Sequence, residues 1–339
     1  MNVTTEDSFD EDSLHFILLS ILDISAILAN LLLITAIIQS TPSVLRNYSV
    51  ILLFMATVDC NAALMSVLST TIVENIDGLV VYYHIGPCRL IHEQLCNSAL
   101  TIHIESIGEA CVLMLISFSY RLFSFPSTLS NSKRVDSRFR LLSICLLATI
   151  PAVIATVTLM SAAQSLPSLF EHPQLSGKYL QAFNISASPI WSSDNLLTRI
   201  SFGYIMFLYL TASPILFILR RKLLAKIRSL TDHNGFVQTS SSDKYRHQMI
   251  LRSLTIQMFL PLSFSISFVF WILDYFEIYR LKTFQRAIMP ASSIFTLISP
   301  LIILYYLPPY RKFCRRLFSK EVETNVVQSI GSSVVGTNK

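Results

Sequence analysis

Residues 14–38 read LHFILLSILDISAILANLLLITAII, twenty-five positions that contain no Lys, Arg or Glu. A helix of that length rises far enough to clear the hydrocarbon core of a bilayer, which needs about 20 apolar residues. Six further stretches pass the same test: Ser49–Val73, Cys96–Tyr120, Leu141–Ala163, Ser201–Leu219, Ser253–Leu273 and Ala287–Leu307. Backbone polar groups survive in hydrocarbon only inside helices or closed barrels. The expected fold is therefore all-α, a seven-transmembrane helix bundle over residues 14–307. An acidic segment, 1–13, precedes it, and a tail, 308–339, follows. Composition agrees: 52% of the 339 residues are hydrophobic and 14% are charged, against about 25% charged in a soluble domain.

Loops rich in Lys and Arg stay on the cytoplasmic side of a membrane, so their distribution predicts how the chain is threaded. With the N-terminus outside, 20 of the 26 basic residues fall in inner segments. The outer segments hold Arg89, Lys178, Arg199, Arg280, Lys282 and Arg286. Two glycosylation acceptors, Asn2-Val-Thr and Asn184-Ile-Ser, fall in predicted outer segments, while Asn47-Tyr-Ser falls in an inner loop. Residues 1–13 carry five acids and no base, so no cleavable signal peptide is expected and the first helix directs insertion.

Ionisable groups are costly at membrane depth and usually face the bundle interior. Asp23, Asp59, Glu105 and Glu109 are the acids in question. Glu105 and Glu109, four residues apart, share one face of the third helix, and His103 points 160–200° away. His103, Glu105, Glu109 and Asp59 are candidates for a ligand pocket, for instance one binding an amine, or for a buried hydrogen-bonded core with some carboxylates protonated.

There is no P-loop, no His-Glu-x-x-His, no Gly-x-Ser-x-Gly and no Cys-x-x-Cys. We expect no catalytic residue, metal site, cofactor or nucleic-acid partner. A proton-coupled transporter would use similar carboxylates, but the repeated halves of such proteins have no counterpart in seven spans. A ligand-gated channel is the other alternative, since an oligomer can build a selectivity ring from one residue type.

Four segments carry a family resemblance: Leu45-Arg-Asn-Tyr-Ser49, His84-Ile-Gly-Pro-Cys88, Ser117-Phe-Ser-Tyr-Arg121 and Ser299-Pro-Leu-Ile-Ile-Leu-Tyr-Tyr-Leu-Pro-Pro-Tyr-Arg311. In this order, across residues 14–318, the chain resembles the nematode serpentine chemoreceptors of class d (Srd). The resemblance implies a G-protein-coupled chemosensory receptor of sensory neurons. It further implies a small-molecule ligand, a heterotrimeric G protein as partner, and residence in the plasma membrane with the sensory cilium as a candidate site.

The chain is also distantly similar to rhodopsin-like receptors. By that similarity, Asn30 and Asp59 are an interior polar pair, and Tyr120, Arg121, Pro300 and Tyr310 mark the switch that engages the G protein. Arg121 alone could equally be an interfacial base. Three departures alter the switch: Tyr120 replaces an acid, Ser299-Pro300 replaces Asn-Pro, and Pro261 lacks a preceding Trp.

Cys96 precedes Arg121 by 25 residues, as the disulfide-forming cysteine of rhodopsin-like receptors does, but residues 164–200 contain no Cys to partner it. A disulfide on the outer side would have to join Cys88 and Cys96; two free thiols are the alternative. Near residues 309–318 a short amphipathic helix is expected. Tyr310, Phe313 and Leu317 form one face and Arg311, Lys312, Arg315 and Arg316 the other, a pattern suited to anionic membrane lipid. Cys314 is a palmitoylation candidate.

The threading is checked by glycosidase treatment of the expressed protein. The wild-type band should shift on digestion and a chain carrying Asn2→Gln and Asn184→Gln should not; an unshifted wild type would argue for the reverse orientation.

Overall fold

A computed structural model describes residues 5–76, 79–124, 138–163, 190–192, 195–233, 261–276 and 282–317, with the isolated positions 256, 259, 278 and 319. Seven long helices follow in chain order: α1 (Thr5–Ser40), α2 (Tyr48–Ser69), α3 (Glu93–Ser124), α4 (Arg138–Ala162), α5 (Leu196–His233), α6 (Pro261–Tyr275) and α7 (Lys282–Tyr306). An eighth, α8, covers 308–317. Six of the first seven are long and apolar enough to cross a membrane within the described residues. The exception is α6, because the first part of the expected span Ser253–Leu273 lies largely outside them.

The helix limits have local causes. α1 stops ahead of Thr41-Pro42, where the proline ring disfavours helical backbone in the residue before it. α5 opens with Asn195, whose Oδ1 accepts the Leu197 backbone N–H at 2.9 Å and caps the helix. It runs on to His233, beyond the expected Leu219, since Arg, Lys and Leu propagate a helix after the apolar span has ended. Pro308 and Pro309 open α8 at the turn where missing backbone donors are harmless.

Successive helices pack side by side around a closed ring, α1 against α2 and α7, with α3 reaching α2, α4 and α5. The outward surface is greasy: Leu28, Leu147, Val157 and Phe207 are each more than 60% exposed. The interior holds Asp23, Asn30, Asp59, His103, Glu105 and Ser299, all at most 2% exposed. A soluble protein could not tolerate so extensive an apolar exterior. In a bilayer the arrangement is the favourable one, with lipid against the hydrocarbon side chains and polar groups turned inside.

The hydropathy pattern does not signal a small sheet at one end of the bundle. Strand β1 (Thr71–Ile76) pairs antiparallel with β2 (Leu79–His84), which pairs with β3 (Ile190–Ser192). The second span was expected to run to Val73, yet α2 ends at Ser69. The β-branched run Thr70-Thr71-Ile72-Val73 favours extended backbone. Thr70 makes the break with a positive φ of 28°, a strained conformation for a β-branched residue. It is held there by its N–H on Ser66 O, its hydroxyl on Val67 O and its carbonyl accepting Ile85 N–H.

Gly86 then donates to Ser69 O at 3.1 Å. A Cβ at Gly86 would fall on the Leu68 carbonyl oxygen and 2.6 Å from the Ser69 carbonyl carbon, so only glycine lets the chain pass this close to the end of α2. Cys88 and Cys96, both buried, are joined by a disulfide with Cα atoms 5.2 Å apart. His15 of α1 donates to Thr71 O at 3.3 Å, and Gln285 of α7 donates to Asp274 of α6 at 2.8 Å. The hairpin and helix ends are thus tied into one cap.

His84, 2% exposed, pairs through Nδ1 with the Thr71 hydroxyl at 3.2 Å. Burial pushes its imidazole down to about 4, against a smaller upward pull from Asn97. The unfolded chain takes up this proton near 6.5 and the folded cap only near 4. Stability is therefore intact above about pH 6.5 and is lost as pH falls towards 4. The full window is worth about 3 kcal/mol at 1.36 kcal/mol per unit. Melting temperatures of the purified chain between pH 7 and 4 should fall, and His84→Gln should flatten that fall; an identical slope in the variant would rule His84 out as its source.

Candidate ligand cavity, polar core and Arg121 cluster

Beneath the hairpin lies a cavity of about 90 Å³ walled by α3, α5, α6, α7 and the β1–β2 pair Val73 and Tyr82. Helical spacing explains the wall. On α5, Phe202, Ile205, Met206 and Tyr209 fall at i, i+3, i+4 and i+7 and so share one face. Ile288, Met289 and Ser292 do the same on α7. Aromatic rings fill one side: Trp271 lies 5.6 Å from Phe202 and 5.8 Å from Phe268, and Phe268 meets Tyr209 edge-on at 6.3 Å. Such contacts hold ring positions more firmly than area burial alone.

The candidate polar residues separate in three dimensions. His103 is in the cavity wall, where its Nδ1–H donates to Ala62 O of α2 at 2.8 Å. Glu105 and Glu109 are not among the described residues lining the cavity; by helical spacing they fall on the far side of α3 from Ile104 and Ile107, near Tyr204 of α5, with Glu109 also near Cys145 of α4 and Glu105 also near Tyr209 of the cavity wall. The carboxylate oxygens of Glu105 are buried without a hydrogen-bond partner among the described residues. Asp59 lies in the contact between α2 and α7 beside Ser299.

That contact belongs to a polar core linking α1, α2 and α7. Asp23 sits beside Ser66 and Ser293, and Asn30 bridges to α7 with its amide donating to Ala26 O at 2.9 Å and to Thr296 O at 3.0 Å. The second bond has a specific cause. Thr296 O would ordinarily accept the N–H of residue 300, which is a proline and has none. Asn30 supplies the donor that Pro300 withholds. In lipid an interhelical hydrogen bond is worth about 0.6 to 2 kcal/mol.

At the end of the bundle opposite the hairpin, the Arg121 guanidinium lies over the Tyr48 ring at 4.0 Å. Tyr48 also stacks on Tyr120 at 6.1 Å and shares a hydrogen bond with Ser117 at 2.8 Å. Arg121 Nη1 is buried without a hydrogen-bond partner among the described residues. Among the described residues the guanidinium thus meets an aromatic face and no acid. Tyr310 of α8 is fully buried and its hydroxyl meets Thr41 at 3.1 Å; burial raises its phenol above the ordinary range. Lys226 of α5 donates to Leu122 O of α3 at 3.0 Å.

Tyr48, Thr41 and Lys226 were not singled out from the sequence. Tyr48 stood in the quoted segment Leu45-Arg-Asn-Tyr-Ser49, and its role became visible only with its ring under Arg121. Cys314, half-buried, sits next to Phe313 against the same core. Asn2 and Asn184 lie outside the described residues.

Because Asn30 serves the carbonyl whose usual helical donor is missing at Pro300, Asn30→Ala should destabilise the purified chain by about 1 kcal/mol. Thermal unfolding in detergent would show this as a lowered midpoint, and an unchanged midpoint would contradict the pairing.

The family described as serpentine type 7TM GPCR chemoreceptor Srd matches residues 16–316. Serpentine receptor class delta-18 of Caenorhabditis elegans is 25% identical over 312 residues, covering 90% of this chain and 88% of the relative. Class delta-3 of the same organism is 22% identical over 332 residues, covering 92% and 91%. Class delta-48 reaches 35% identity over 144 residues, covering 41% and 42%. With a match across nearly the whole helical bundle, the chain belongs to the Srd family of serpentine seven-transmembrane G-protein-coupled chemoreceptors.

Proposed function

We propose that this chain detects a small molecule from outside the cell and activates a heterotrimeric G protein on the inside. The carrying observation is a cavity beside His103, Ile104 and Ile107 of α3 and a half-buried cation, Arg121, near the C-terminal end of the same helix. The cavity has the apolar, aromatic wall and few polar groups of a small-molecule site. Arg121, stacked on Tyr48 and close to α8, is placed at the other end of the same helix. A ligand that favours one packing of α3, α5, α6 and α7 shifts the bundle between two states, and exchange of the Arg121 contacts opens the face that meets the G protein.

In this reading the N-terminus is extracellular, Asn2 and Asn184 are glycosylated, and the Cys88–Cys96 disulfide lies on the oxidising side. The protein resides in the plasma membrane, with the sensory cilium as the expected location. α8 lies along the inner leaflet, its Arg311, Lys312, Arg315 and Arg316 facing anionic lipid and Cys314 available for palmitoylation. Glu105 and Glu109, outside the cavity wall, belong to the packing of α3 against its neighbours and not to ligand contact.

The test is a calcium assay in cells expressing the chain with a promiscuous Gα subunit, screened against a panel of small organic compounds. At least one compound should evoke a signal that Arg121→Ala reduces more than about tenfold while surface expression is retained. A response that persists as a membrane current with G-protein signalling blocked would favour a channel instead.

A further inference from the structure

The polar atoms of the cavity have unequal hydrogen-bonding roles. Ala62 O can only accept, so the proton of the His103 ring sits on Nδ1 and the 2.8 Å bond fixes both tautomer and orientation. In the uncharged ring this leaves Nε2 as an acceptor. Nε2 is buried, with His103 2% exposed, and has no hydrogen-bond partner among the described residues. Ser292, on the α7 side, donates its hydroxyl proton to Met289 O at 2.7 Å, so its oxygen too presents only lone pairs. Tyr82, Tyr209 and Ser267 in the same wall have interactions of their own, while Trp271, packed on Phe202 and Phe268, brings one buried donor, its Nε1–H, which a ligand oxygen of either an alcohol or a ketone can accept. No Asp, Glu, Lys or Arg is among the described residues lining the cavity.

We infer that the cavity takes an uncharged, largely apolar molecule that donates one hydrogen bond, from an alcohol, phenol or amide N–H, to Nε2 of His103. This rests on the reading of the cavity as the ligand site. An acceptor buried in low dielectric loses its hydration and regains that loss only from a donor. A ligand of the same shape lacking the donor leaves Nε2 unpaired, so discrimination arises even though most of the contact is apolar. The aromatic wall and the aliphatic residues of α3 and α7 hold the ring or chain of the ligand, and the imidazole sets which end is polar. An amine cation meets no acid among the described residues of this wall, and the carboxylates of Glu105 and Glu109 are on a different face of α3.

Cyclohexanol and cyclohexanone form a suitable probe pair, alike in size but differing in the donor. The chain contains two tryptophans, Trp191 and Trp271. In the full-length receptor carrying Trp191→Phe, reconstituted in nanodiscs, the emission of Trp271 reports occupancy of the cavity directly. Cyclohexanol should bind about tenfold more tightly than cyclohexanone, the factor for one hydrogen bond to a buried acceptor. His103→Phe should bring the two within about twofold by weakening the alcohol alone. His103→Gln, whose amide can donate to Ala62 and still offer an oxygen, should keep part of the preference.

Equal or tighter binding of cyclohexanone, no saturable emission change with either probe, or an undiminished preference in His103→Phe would each overturn the inference. If His103→Phe fails to fold, the comparison in the receptor with His103 intact still decides. A chain that prefers cyclohexanone yet drives G-protein signalling would leave the receptor function standing. One that prefers cyclohexanol but never signals would sink that function and leave the donor assignment.

Discussion

Hydrocarbon offers no hydrogen-bond partner, and the structure is organised around that lack. Each backbone group must be satisfied within the protein, and each side chain that breaks the pattern creates a demand another must meet. Pro300 is the clearest case. Its ring removes the donor that Thr296 O needs, and Asn30, a helix away, provides one at 3.0 Å. The contact of α1 with α7 is therefore more than apolar packing, because it has a polar register that fixes the axial position of one helix against the other.

The same demand accounts for the two ends of the bundle. At the hairpin end, where β1 and β2 replace helix, the strands pair with each other and with β3. The break at Thr70 is held by three hydrogen bonds to the last turn of α2 and to Ile85. This cap closes over the cavity and contributes Val73 and Tyr82 to its wall. At the other end the Tyr48 face meets the Arg121 cation at 4.0 Å.

α3 connects the two ends. Its faces are divided by chemistry: His103 towards the cavity, Glu105 and Glu109 towards α4 and α5, Ser106 towards Asn61 of α2. A helix packed on several sides cannot shift at one end without repacking at the other, since tightly packed interiors transmit displacement.

Read alone, the chain was enough to establish a seven-helix membrane bundle and its family, because apolar runs of about 20 residues have few alternatives in lipid and the quoted segments are distinctive. Helix periodicity also placed His103 on a different face from Glu105 and Glu109. Which of those faces looks into a cavity was beyond it, for that depends on how far apart α3, α5, α6 and α7 stand, and on a hairpin whose strands carry no distinct hydropathy signal. The partners of Pro300 and Arg121 were equally out of reach. Asn30 and Thr296 are 266 residues apart, and Tyr48 and Arg121 are brought together only when α2 packs on α3. Local pattern determines which groups must be buried, and tertiary packing decides which of them meet.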